Sequence, residues 1–214
     1  MRVPRRFRRR SLRPPPRQRP RWLASRSRTG SVLVLASNSP RRRQILADSG
    51  IPFVVRAPSI PEELLPGESA DAYVRRLAEE KAFAVSIGRD EVVLAADTVV
   101  LVGDQVLEKP RDAADAARML ALLSGRVHEV ITGICLRSSS QKIVDAETTR
   151  VRFVRLTDQE IGEYVASGEP MDKAGAYAIQ GLASKFIDRV EGCYFNVVGL
   201  PAAMVYRHLK SLEM

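Results

Sequence analysis

Ser31-Val-Leu-Val-Leu-Ala36, running straight into Ser37-Asn38-Ser39-Pro40-Arg41-Arg42-Arg43, decides the fold of this chain. The first part is apolar without alternation, which predicts a β-strand covered on both faces. Ser39 is placed to cap a helix whose first residue is Pro40, and Gly50 is placed to end it. A buried strand that hands over directly to a helix is the repeating unit of an α/β fold.

The rest of the chain keeps that interleaving. Phe53-Val54-Val55 predicts a short strand. Val74, Leu77, Lys81/Ala82 and Val85 recur every three or four residues, which predicts an amphipathic helix from Ser69 to Ile87, closed by Gly88. Val92–Val102 is a second apolar strand, interrupted only by Asp97-Thr98, and Gly103-Asp104 turns the chain into Val106-Leu107. Asp112 caps a helix to Leu123, and strands follow near 127–136 and 143–156. Thr157-Asp-Gln-Glu160 is a capping box. A Gly-rich stretch, a strand near 186–190 and a helix after Pro201 complete the chain. The expectation is a mixed central sheet with helices on both sides, its ligands at the carboxyl ends of strands.

Composition narrows the partners. Residues 1–30 hold twelve arginines and no acid; removing those from the formal charge of +9 leaves −3 for residues 31–214. The basic character belongs to the Arg/Pro-rich extension, so a nucleic-acid footprint over the whole domain is not expected. That extension has no helical or strand period and reads as disordered. It fits a polyanion-binding arm, a transit peptide or translated upstream sequence. No run of about 18 apolar residues is long enough to cross a membrane as a helix. Cys135 and Cys193 both lie in apolar surroundings and read as buried free thiols, which suits a cytoplasmic protein. Neither is spaced for a zinc site.

Four segments carry chemical potential. Ser37–Arg43 lies at a strand-to-helix junction, where free N–H groups and arginine forks suit a phosphate, although a capped surface helix would read the same. Asp97 is a carboxylate inside an apolar strand, costly unless it is paired or meets a cation; the alternative is an exposed strand end. A hard divalent ion takes carboxylate together with phosphate oxygens. Glu80-Lys81, Glu108-Lys109-Pro-Arg111 and Asp172-Lys173 place basic residues beside acids, as solvated surface pairs also do. In Asp172–Gly181 small residues let backbone approach a planar ligand, and the Gln180 amide could either read a base edge or satisfy loop backbone.

Taken in order, Ser37-Asn-Ser-Pro-Arg-Arg42, Glu80-Lys81-Ala82, Ala96-Asp97-Thr98, Glu108-Lys-Pro-Arg-Asp112, Ser124-Gly-x-x-His128, Asp172–Tyr177 with Gln180-Gly181, and Gly192-Cys-Tyr-Phe-Asn-Val-Val-Gly-Leu-Pro201 resemble the Maf family. The resemblance runs from residue 32 to about 212 and leaves the extension outside. It implies a fold related to inosine-triphosphate pyrophosphatases, with two lobes around a cleft. It also implies hydrolysis of nucleoside triphosphates to monophosphate and pyrophosphate, a divalent cofactor (Mg²⁺ or Mn²⁺), and a homodimer. Asp97 then corresponds to the proton acceptor and a metal ligand. Ser39, Arg42, Glu62, Lys81 and Lys109 correspond to the phosphate site, with Glu62 and Glu63 both open for one position. In the branch acting on dTTP and UTP, the specificity positions fall on Arg41 or Arg42, Thr98 and Gln180. A non-catalytic nucleotide-binding regulator of cell division is the alternative.

Overall fold

Val32–Leu35 forms the first strand, β1, of a computed structural model that describes residues 30–212 and 214. The extension expected over residues 1–30 lies, Gly30 apart, outside the described residues. Helix α1 spans Pro40–Asp48, and the Ser39 side chain accepts from the Arg42 N–H as its N-cap. There follow β2 (Val54–Val55), α2 (Ala70–Phe83), β3 (Glu91–Val102), β4 (Gln105–Leu107) and α3 (Ala113–Leu123). The second half contains β5 (Val127–Arg137), β6 (Lys142–Phe153), α4 (Asp158–Ala166), β7 (Ile187–Glu191), α5 (Tyr194–Val198) and α6 (Ala202–Ser211). Asp112 caps α3, and Thr157 with Glu160 closes the capping box of α4, both as expected.

Two elements depart from expectation. Helix α2 stops at Phe83 instead of continuing to Ile87, because Val85 and Ile87 fill the cluster beneath it from a non-helical connection. Helix α5 is too short for its periodicity to register in sequence. The thiols also differ from each other: both are free, but Cys135 is buried and Cys193 only half-buried.

The strands form one mixed sheet in the order β2-β1-β3-β5-β6-β7, with β4 also on β3. β1 runs parallel to β2 and β3, and the remaining pairs are antiparallel. Alternation along β3 sorts the core. Val93, Ala95 and Val99 point to the face covered by α2. Leu94 and Ala96 point to the opposite face, into a cluster with Leu46 of α1 and Val205 of α6. Further along that face, Val100 and Val102 enter a separate cluster with Leu120 of α3 and Tyr164 of α4. Helices therefore cover both faces, and the second face is divided between two clusters.

The division coincides with a break in strand pairing. β1 pairs with β3 only as far as Leu94, and β4 takes up the same edge only from Val100. Across Ala95–Val99, β3 is paired with β5 alone. A cleft of about 710 Å³ opens at this gap.

Candidate active site

Asp97 lies in the middle of the stretch of β3 that is paired on one edge only, and alternation turns it toward α2. Lys81 lies on the buried side of α2, one turn beyond Leu77. Its Nζ donates to Asp97 Oδ1 at 2.6 Å and lies 2.7 Å from Glu62 Oε1. Asp97 and Lys81 are only 6% and 8% exposed, so each is the partner that makes the other's burial tolerable. Gly133, opposite Asp97 on β5, lets α2 come this close: a Cβ there would fall on the carbonyl of Val74.

Glu62 reaches Lys81 from the connection between β2 and α2. Partial burial pushes its carboxyl pKa up, but hydrogen bonding and charge from Lys81, with Lys109 and Arg42 behind it, hold it below the ordinary value. Lys109 Nζ stands 3.9 Å from Glu62 Oε2 and is mostly exposed. Of the two glutamates left open by sequence, Glu62 lines the cleft, whereas the Glu63 carbonyl accepts from Arg76. Glu108 also lines the cleft and accepts the Tyr73 hydroxyl hydrogen bond.

Thr98 points to the other face, where α1 begins. Arg42 Nη2 donates to Thr98 Oγ1 at 3.1 Å, Nη1 to Ser37 Oγ at 3.3 Å, and Nε to the Gly199 carbonyl at 2.8 Å. Burial lowers the pKa of this guanidinium, while Asp97 and Glu62 act to raise it. Thr98 Oγ1 also shares a hydrogen with Thr132 Oγ1 at 2.9 Å, and Thr132 donates to the Asn196 carbonyl. Arg42 is thus fixed by three separate segments of the chain. Arg41 instead spans the cleft, with its Nη1 3.4 Å from Asp172 Oδ2.

All nine residues singled out from sequence line this one cleft: Ser39, Arg41, Arg42, Glu62, Lys81, Asp97, Thr98, Lys109 and Gln180. Ser37, Glu108 and Lys173 join them and were not singled out as site residues. Their signal was present, since each belongs to one of the quoted motifs. His128, also in a quoted motif, lies elsewhere: it is buried between Phe153 and Tyr177, with Nε2 2.8 Å from the Tyr177 hydroxyl.

The donor set can be tested against a divalent cation. Among the described residues, no group of three or more His, Cys, Asp and Glu side chains is arranged to hold a metal. Mg²⁺ does not require such a cage, because it usually takes one or two carboxylates and completes its shell with water and phosphate oxygens. Asp97 and Glu62, which converge on a single cation in Lys81 Nζ, fit that mode.

The site therefore combines a buried carboxylate, a second one beside it, several cations and the N-terminus of α1. Residues 32–212 match the family described as Maf-like protein. The chain belongs to the Maf family. The "dTTP/UTP pyrophosphatase" of Koribacter versatilis is 50% identical over 182 residues, covering 85% of this chain and 94% of that protein. The protein of the same name from Anaeromyxobacter dehalogenans is 54% identical over 175 residues, covering 80% and 89%. That from Shigella sonnei is 50% identical over 184 residues, covering 85% and 93%. Among solved structures, a HAM1 protein from Coxiella burnetii is similar at 16% identity and a TM-score of 0.48, covering 85% of this chain and 99% of that one. Among the described residues, no helix of this Maf-family chain is long and apolar enough to cross a membrane.

Proposed function

We propose that this protein hydrolyses dTTP and UTP to the monophosphate and pyrophosphate, with Asp97 as proton acceptor. The relatives that match most of its length carry that activity in their names. The observation that carries the reading is the buried Asp97 carboxylate, 2.6 Å from Lys81 Nζ, at the floor of a cleft edged by the start of α1.

The triphosphate lies along the cationic side of the cleft. Ser39 and the free N–H groups of α1 receive phosphate oxygens, and Arg42 and Lys109 supply charge. Asp97 takes a proton from the attacking water as its oxygen bonds to the α-phosphorus. The bond from that phosphorus to the bridging oxygen breaks, and pyrophosphate leaves with the electron pair. Lys81 and Lys109 stabilise the charge that develops on the phosphate oxygens. Asp97 and Glu62 would hold Mg²⁺ or Mn²⁺, which would supply further positive charge and acidify water. Thr98 and Gln180 face the base, and Arg42 orients Thr98. Arg41, tied to Asp172, closes one side of the cleft.

Residues 31–214 act as one pyrophosphatase domain, a homodimer at work in the cytoplasm. The deciding experiment is pyrophosphate release from a panel of nucleoside triphosphates, with Mg²⁺ and with chelator. Turnover of dTTP and UTP that chelator abolishes supports the reading; tight UTP binding without pyrophosphate release would favour the regulator of cell division instead.

A further inference from the structure

Gln180 sits in a turn that has no regular secondary structure to hold it, closed only by the Gly181 N–H donating to the Ala178 carbonyl at 3.1 Å. Both ends of that turn are pinned from a distance by a single pair of side chains. The Ala178 N–H donates to the Tyr164 hydroxyl at 3.2 Å, and that hydroxyl donates to Glu169 Oε1 at 2.9 Å. At the other end, the Leu182 N–H donates to both Glu169 oxygens, at 3.0 and 3.1 Å. The carboxylate closes so tightly over the turn that a Cβ at Gly181 would overlap it. Tyr164 is 3% exposed and anchored in the cluster beneath α3 and α4, so the clamp ties the turn to the core. Burial, with the bond to Glu169, raises the Tyr164 pKa and keeps the hydroxyl protonated as a donor.

We propose that Glu169, acting through Tyr164 and the 178–182 turn, is a positioning residue that sets pyrimidine selectivity by holding Gln180. The inference rests on the reading that Gln180 faces the base. An amide presents a donor beside an acceptor, a pattern that uracil and thymine complement and that cytosine inverts. An amide free to rotate can offer either pattern, so discrimination depends on holding its backbone where one orientation fits. Glu169 itself makes its contacts with Tyr164, Leu182 and, through its carbonyl, Lys173. Its effect belongs to substrate choice and KM rather than to the chemical step.

The test compares steady-state kinetics with UTP and CTP for the full chain, E169A, E169Q, G181A, Q180A and the double variant E169A/Q180A. E169A is expected to raise the KM for UTP and to cut the UTP/CTP ratio of kcat/KM about tenfold, with kcat for UTP largely kept. E169Q, which retains an acceptor for Tyr164 and Leu182, should recover most of the ratio. G181A should reproduce E169A by displacing the carboxylate, and so answers the question even if E169A fails to fold. The double variant should be no less selective than Q180A alone, because both changes act on one contact. A Q180A variant that loses selectivity beside E169A and G181A variants that keep it would overturn the clamp and leave the function standing. A wild-type protein indifferent between UTP and CTP would overturn the pyrimidine reading and the clamp together.

Discussion

Replacing Asp97 with asparagine separates catalysis from stability, because the structure assigns the two very different magnitudes. Cutting a buried ion pair costs about 3–5 kcal/mol when the remaining charge is stranded. Lys81 would not be stranded here: Glu62 stays at 2.7 Å, and the asparagine keeps a carbonyl oxygen that can accept from Nζ. The stability loss should therefore be about 1 kcal/mol, or about 3 °C in Tm for a chain of this size. The rate loss should be far larger. A positioned general base contributes about 10²–10⁴-fold, and an asparagine cannot take a proton, so turnover of dTTP should fall about a thousandfold, or ~4 kcal/mol on the barrier. A coupled pyrophosphate assay at saturating Mg²⁺, read beside a thermal melt, gives both numbers from one preparation. Lys81→Met is the contrasting variant. It leaves Asp97 and Glu62 facing each other without their shared cation, and should cost about 3–5 kcal/mol. An Asp97→Asn protein that turns over dTTP within tenfold of the wild type would remove Asp97 as proton acceptor, and a Lys81→Met protein as stable as Asp97→Asn would remove the shared-cation account.

Two further outcomes follow from the packing around the site. Gly133→Ala should push α2 off the sheet, costing about 1–3 kcal/mol and lowering turnover by separating Lys81 from Asp97, measurable as a lower urea midpoint with a parallel loss of pyrophosphate release. Burial pushes the His128 pKa down from 6.5 to about 4, so the unfolded chain binds a proton there that the folded chain refuses. Its contribution to stability is complete above pH 6.5 and should fall away as pH drops toward 4, by about 3 kcal/mol at most. His128→Phe should flatten that slope in urea titrations at pH 7 and pH 4.5, while costing about 1 kcal/mol at pH 7 for the Tyr177 hydroxyl left without its partner.

Much of this architecture is legible in the sequence alone, and the legible parts share a cause. The β1–α1 unit, the Ser39 and Asp112 caps and the Thr157–Glu160 box depend on residues within one turn of each other, so composition and spacing suffice. Even the pairing of Lys81 with Asp97 had a local trace. A lysine stood on the apolar stripe of a helix and an aspartate in an apolar strand, each a buried charge in want of an opposite. The family resemblance brought the same residues together by another route.

What the tertiary structure alone decided concerns groups brought together across long stretches of chain. Glu62 joins Lys81 and Asp97 from an irregular connection, so no period marks it out from Glu63. Arg41 and Arg42 are adjacent and chemically identical, yet the turn of α1 sends one to Asp172 and the other to Thr98. The cleft itself exists because β1 ends at Leu35 while β4 begins to pair only at Val100, a mismatch of registers between strands. Glu169 looked like an ordinary loop acid, and its grip on the turn carrying Gln180 arises only when the chain folds back to bring Leu182, thirteen positions on, against it. Short-range physics writes helices and strands into local pattern; which side chains meet across the sheet depends on pairing and packing that no window of sequence contains.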